Sequence, residues 1–153
     1  KLIEGIFTGA TINTPSMWAI ADAEDALDWV KELGGAENAR ARADNNTAAL
    51  QLWVDETDWV ENLVAKPSER SNTSVCLKVV DPAIAALDDD AQKAFVKKMV
   101  KLLDAEDVAY DINGYRDAPA GLRIWCGATV DTGDIRRLTP WLDWAFEAVK
   151  ADL

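Results

Sequence analysis

An arginine stands inside the most apolar late segment of the chain, Gly121-Leu122-Arg123-Ile124-Trp125-Cys126. A guanidinium flanked by Leu122 and Ile124 is costly to bury unless it meets an anion. Arg123 is therefore either half of a structural ion pair or a bidentate clamp for a carboxylate. Arg116, next to Tyr115 in the Gly- and Pro-rich loop just before it, could supply a second positive charge. Two arginines converging on one place would suit a dianionic or phosphorylated ligand. A second group lies near the start, in Thr11-Ile12-Asn13-Thr14-Pro15-Ser16-Met17. A helix N-terminus presents unsatisfied N–H groups and positive dipole potential, which suits phosphate, and Asn13, Thr14 and Ser16 add side-chain donors. The same residues are also ordinary helix caps, with Pro favoured at the first helical position. Capping and anion binding both stand.

Much other chemistry is excluded. The 153 residues include no histidine, which removes Ser-His-Asp, Cys-His and His-ligated metal chemistry within this chain. Cys76 and Cys126 sit in apolar runs and form no CxxC pair, so buried reduced thiols are expected and a zinc site has no support. A net charge of −11 repels polyanions, so nucleic acid and anionic lipid are poor partners. No apolar run approaches the ~18 residues of a membrane span, and no signal peptide is visible, so a cytoplasmic location is expected. The seven tryptophans fall mostly at amphipathic helical spacing, where core or interface packing is the default. Trp125 is the exception, because it adjoins Arg123 on the candidate strand.

The elements that would position these groups follow from periodicity and punctuation. Residues 1–7 alternate like a strand and begin without Met, which reads as a cut into a longer polypeptide. Pro15 opens a helix over 15–33 with Met17, Ile20, Leu27 and Val30 on its apolar side, stopped by Gly34-Gly35. A second long helix covers 36–55, followed by a short extended segment at 59–63 and a loop at 66–72. The clearest strand is 73–80, with Val75, Leu77 and Val79 on one face. Asp88–Asp90 open a helix to about 105, carrying Phe95, Met99, Leu102 and Leu103 inward. A short strand at 108–111, a loop at 113–121 and a strand at 122–126 come next. Asp131 or Thr132 caps a last helix, in which Pro140 should produce a kink or a split. The layout is α+β: a long helix pair, then a small antiparallel sheet with helices on one face.

Asn-Thr-Pro leading a helix, Arg70-Ser71-Asn72 before a strand, and Gly114-Tyr115-Arg116 followed by Gly121-Leu122-Arg123-Ile124 occur in an order that resembles the phosphoserine aminotransferases, a class V pyridoxal-phosphate family. The likeness runs over essentially the whole chain and corresponds to the family's C-terminal portion. It implies the small C-terminal domain of a fold-type I enzyme over 36–153, with 1–35 as the tail of the large cofactor domain and the start of the interdomain helices. The implied cofactor is pyridoxal 5′-phosphate, whose phosphate Asn13 and Thr14 would reach across a homodimer interface. Arg123 matches the arginine that holds the substrate α-carboxylate. Arg116 matches the arginine of a His-Arg pair at the substrate's distal anion, with Tyr115 where the histidine often stands. The implied substrates are phosphoserine and 3-phosphohydroxypyruvate with glutamate and 2-oxoglutarate, in serine biosynthesis. The Schiff-base lysine of the family lies some tens of residues before the Asn-Thr-Pro motif. Lys1 lies in no matching context, so the chain alone is expected to be inactive. Two other readings remain: another class V aminotransferase of the alanine/serine–glyoxylate type, and a free-standing acidic interaction module.

Overall fold

The computed structural model describes residues 2–11 and 13–153, with the side chains of Leu2, Ile3 and Ile6 left aside. Lys1 of the expected opening strand and Ile12 of the Asn-Thr-Pro segment lie outside the described residues. The chain divides into two compact units, Lys1–Ala39 and Arg40–Leu153.

In the first unit the expected strand at the start is instead a helix, α1 (Leu2–Phe7). Among the described residues no strand pairs with this segment. Its backbone groups are therefore satisfied locally, and Thr8 and Ala10 donate back to the Gly5 carbonyl. Helix α2 (Met17–Glu32) begins two residues later than Pro15, with Ser16 as N-cap: its Oγ accepts from the Ala19 amide at 3.4 Å. Gly34 and Gly35, both at φ 94°, stop it, and their amides return to the carbonyls of Lys31 and Val30. No residue of α2 is buried, and Met17, Trp18, Ile20 and Leu27 of its apolar side are exposed in this chain.

Helix α3 (Ala36–Asp55) begins in the first unit and runs into the second, where Ala43, Asn46, Leu50 and Val54 form its buried stripe. The second unit holds a sheet of order β1-β2-β3, antiparallel throughout, from β1 (Val60–Asn62), β2 (Ser74–Val79) and β3 (Gly121–Trp125). A 3₁₀ turn, Pro67–Glu69, lies in the loop before β2. After β2 comes α4 (Pro82–Ala85), a short helix not anticipated from the sequence. Asp81 caps it by accepting from the Ala83 and Ile84 amides. Helices α5 (Asp89–Ala105) and α6 (Thr132–Lys150) complete the unit.

The period of two sorts the sheet into two faces. The register pairs Val75 with Ile124 and Leu77 with Leu122, so these four residues share the buried face. That face joins one core with Leu50 of α3, Phe95 and Met99 of α5, and Leu142 and Phe146 of α6. Trp59 stacks on Phe146 (centroids 4.4 Å apart, interplanar 6°), and Phe95 meets the same ring edge-on. Asp143 accepts from the indole N–H of both Trp53 (3.0 Å) and Trp59 (2.9 Å), so each aromatic body is buried or half-buried with its donor satisfied.

One further expectation is corrected and two are refined. Residues 108–111 form no strand: left-handed backbone at Asp107 (φ 55°) and Asp111 (φ 52°) breaks the extended run, and a single bridge, Asn113 to Leu122, follows it. Helix α6 is not split and passes through Pro140 as one element. The ring removes the donor that would serve the Arg136 carbonyl, and the Thr139 hydroxyl approaches that oxygen at 3.4 Å instead. Of the tryptophans, expected in core or interface packing, Trp59 is in the buried core and Trp53 packs against it, whereas Trp18, Trp125, Trp141 and Trp144 are exposed in this chain.

Candidate functional site

Arg123 lies on the open face of the sheet, together with Trp125, Ser74 and Cys76, because it alternates with the buried Leu122 and Ile124. Strand geometry thus removes the burial cost that its apolar neighbours suggested. Its side chain retains 36% exposure. Across the edge of β3, the Arg123 amide donates to the Ile112 carbonyl at 2.8 Å, which ties the 111–113 segment alongside the strand. The guanidinium Nη2 donates to Asp111 Oδ2 at 3.2 Å. This is the ion-pair half of the sequence expectation, made to a carboxylate that is 91% exposed. The other guanidinium N–H groups make no hydrogen bond among the described residues.

Arg123, Asp111, Ile112, Tyr110, Ser74 and Trp125 line an open hollow of about 390 Å³. Trp125 is exposed yet held: its Nε1 donates to Thr129 Oγ1 at 2.9 Å, and its ring lies against Gly127, where any Cβ would overlap the indole. The turn carrying Gly127 is fixed from α3. Asn46, fully buried, donates to the carbonyls of Cys126, Gly127 and Val130, and its Oδ1 accepts from Thr132 Oγ1 at 2.7 Å. Arg42 adds a bond to the Ala128 carbonyl and an ion pair with Asp131. At the lip of the hollow, Tyr110 donates to Asp107 (2.8 Å), which holds the phenol above its usual pKa. Ser74, Tyr110 and Asp111 were not singled out from the sequence. The left-handed bend that brings Asp111 to Arg123 replaces what read as a strand.

The other expected residues lie elsewhere. Arg116 is exposed and paired through two N–H groups with its chain neighbour Asp117 (3.2 Å each), and it does not line the Arg123 hollow. Tyr115 is exposed beside a separate hollow of about 120 Å³ that also touches Lys93 and Lys97. Asn13 and Thr14 belong to the first unit, in the segment between α1 and α2. Both are exposed and make no side-chain hydrogen bond among the described residues, the cap of α2 being Ser16. Their free amide and hydroxyl donors suit the oxygens of a phosphate.

No family model matches the sequence. The fold recurs in solved aminotransferases. Over 94% of this chain it superposes with a TM-score of 0.76 on 36% of phosphoserine aminotransferase from Bacillus circulans subsp. alkalophilus, at 17% identity. Over 91% of the chain it reaches 0.74 against 36% of a PLP-bound phosphoserine aminotransferase from Trichomonas vaginalis, at 19% identity. The chain therefore has the α+β fold of an aminotransferase segment.

Sequence narrows the class. The chain is 42% identical over 150 residues to phosphoserine aminotransferase from Methanosarcina mazei and 43% identical over 150 residues to that from Methanosarcina barkeri. In each case the match covers 98% of this chain and 38% of the relative. A putative phosphoserine aminotransferase from Mycobacterium avium is 29% identical over 146 residues. The chain belongs to the phosphoserine aminotransferase family, and it spans about 38% of the length of these Methanosarcina relatives.

Proposed function

We propose that the chain is the C-terminal portion of a pyridoxal-phosphate-dependent phosphoserine:2-oxoglutarate transaminase, a cytoplasmic homodimer of serine biosynthesis. On this reading residues 1–35 are the tail of the large cofactor domain and 36–153 the small domain. The lysine that carries the cofactor lies outside this chain, which therefore does not turn over substrate alone. The bound cofactor would supply an electron sink for carbanion chemistry. Asn13 and Thr14 would donate to the cofactor phosphate bound by the partner subunit, a role their exposed, unengaged donors fit.

The observation that carries the proposal is Arg123, on a rigid strand, lining a hollow with most of its N–H groups unspent. Its planar fork would take the substrate α-carboxylate through two parallel N–H···O bonds. Trp125, held in place by Thr129 and Gly127, would form a wall beside it and limit how a bound carboxylate tilts. Arg116 and Tyr115 would contact the distal phosphate. Arg116 is engaged only by an exposed neighbour, a kind of pair worth about 0–1 kcal/mol and easily exchanged for a ligand. No helix among the described residues is long and apolar enough to cross a membrane.

The test is Arg123→Ala in the complete protein. With the pair desolvated by the bound substrate, truncating one partner costs ~2–5 kcal/mol. At about 1.4 kcal/mol per tenfold, kcat/KM for phosphoserine should fall roughly thirtyfold to a few thousandfold. Arg123→Lys should recover only part, because an ammonium cannot reproduce the fork. Cofactor absorbance should persist in both variants. Near-normal kcat/KM combined with a lower melting temperature would make Arg123 only the structural partner of Asp111.

A further inference from the structure

Asp111 has no role in the substrate contacts described above, yet it is the group that Arg123 touches. Three features set this pair apart from a structural salt bridge. The contact uses one guanidinium nitrogen and one carboxylate oxygen at 3.2 Å, so neither the fork of the arginine nor the second oxygen of Asp111 is engaged. The two side chains differ in setting: Arg123 is anchored in β3 and 36% exposed, whereas Asp111 is 91% exposed and could move into water with little change in its own hydration. The Asp111 backbone is also committed to its position. The adjacent Ile112 carbonyl accepts from the Arg123 amide, and Asp111 itself adopts φ 52°, which keeps its carboxylate at the lip of the hollow. No other side chain donates to Asp111 among the described residues, since the nearby Tyr110 hydroxyl is given to Asp107.

We propose that Asp111 is an internal competitor for Arg123: a positioning residue whose carboxylate occupies the guanidinium between turnovers and is displaced by the α-carboxylate of the amino-acid substrate. The proposal rests on the reading of Arg123 as the carboxylate clamp. A one-point contact to an exposed carboxylate is weaker than a two-point contact made inside the hollow, so a substrate carboxylate that engages the fork wins the exchange. Small anions that make only one contact do not. Asp111 thereby keeps the guanidinium directed into the hollow beside Trp125 and lowers its occupancy by adventitious anions. The cost is a weaker apparent affinity for every substrate that presents an α-carboxylate.

The experiment compares the complete transaminase with its Asp111→Asn and Asp111→Gly variants. Both replacements accept positive φ and both remove the competing charge. An exposed ion pair of this kind corresponds to a roughly two- to fivefold competition factor, so KM should fall by roughly two- to fivefold in both variants. The fall should be the same for phosphoserine and for glutamate, which share only the α-carboxylate end. It should shrink towards no difference as ionic strength rises from about 0.05 to about 0.5 M, because salt screens an exposed pair. A merely structural role would lower thermal stability without a salt-dependent change in KM. An unchanged or raised KM in either variant, or a fall for one substrate alone, overturns the proposal. Arg123→Ala separates the two levels of the argument. If it leaves KM and kcat/KM intact, the clamp reading itself fails. If it impairs both while the Asp111 variants do not lower KM, only the competitor role fails.

Discussion

Replacing Asn46 by aspartate changes a single NH₂ group to an oxygen in a fully buried position of α3, and the structure places three carbonyl oxygens around that group. Asn46 Nδ2 lies 3.2 Å from the Cys126 oxygen, 3.2 Å from that of Gly127 and 2.9 Å from that of Val130. A carboxylate there would be an acceptor facing acceptors, and Arg42, the cation that shares the Val130 carbonyl, is already paired with Asp131. An uncompensated buried charge costs about 3–5 kcal/mol. Asn46→Ala removes the donor without adding charge. The Val130 carbonyl keeps a long contact to Arg42 Nη2 (3.4 Å) and the Gly127 carbonyl one from the Val130 amide (3.3 Å), so the main losses are at the Cys126 carbonyl and the Thr132 hydroxyl. At about 1–3 kcal/mol for each unsatisfied buried group, partly relieved by relaxation, the alanine variant should lose ~2–4 kcal/mol. For a chain of this size each kcal/mol moves Tm by roughly 2–4 °C, so the alanine variant should melt roughly 4–16 °C low and the aspartate variant lower still. The two differ in pH dependence. Burial among carbonyls raises the folded-state pKa of the introduced carboxyl above its unfolded value near ~3.9. The aspartate variant therefore loses stability progressively as pH rises from about 4 through that raised pKa, while the alanine deficit stays flat. Thermal melts followed by circular dichroism at pH 5 and pH 8 read this directly. Parallel, pH-independent deficits in the two variants, or an aspartate variant as stable as the parent, would refute the reasoning.

Two further outcomes follow from titratable groups. Burial pushes the Cys126 thiol up to about 11, against a smaller opposing contribution from Thr47, so at pH 8 the native chain should incorporate iodoacetamide at half-buried Cys76 and leave Cys126 unmodified until denaturant is added. Peptide mapping checks this, and equal labelling of both thiols in the folded chain would contradict it. The Lys150 ammonium, bonded at 2.8 Å, holds the Asp81 carboxyl below its ordinary value, and the Ala83 and Ile84 amides add to the effect against a desolvation cost. A depressed folded-state pKa contributes stability above the unfolded value near ~3.9 and loses it as pH falls through the folded value. Asp81→Asn keeps a capping side chain on α4 but removes the charge, so its urea midpoint should lie below the parent's at pH 7 and converge with it below about pH 4. A constant gap down to pH 3 would assign the effect to packing.

What the sequence by itself determined is the part of the fold encoded in short-range chemistry. Gly34-Gly35 and the helix formers after them delimit α3 at Ala36–Asp55, because a helix stop and a helix start each depend on a few adjacent residues. Asp88 at the start of α5 and the reciprocal Asp131–Asp134 contact at the start of α6 are equally local. Alternation in 73–80 and 122–126 identified β2 and β3 for the same reason, and the order of the short motifs pointed to the family. Tertiary structure decided the rest. The alternation of residues 1–7 reads as a strand, yet Leu2–Phe7 is the helix α1, because so short a segment does not fix its own type. Register with β2, not the apolar character of its neighbours, set Arg123 on the open face, while Leu122 and Ile124 went to the core. Asp111 meets Arg123 because of a left-handed bend and a backbone bond from Arg123 to Ile112 across the loop. Hydrogen-bond periodicity and capping act within one or two turns of chain and are written in adjacent residues. The partner of a guanidinium depends on how distant segments pack, and no local pattern contains that distance.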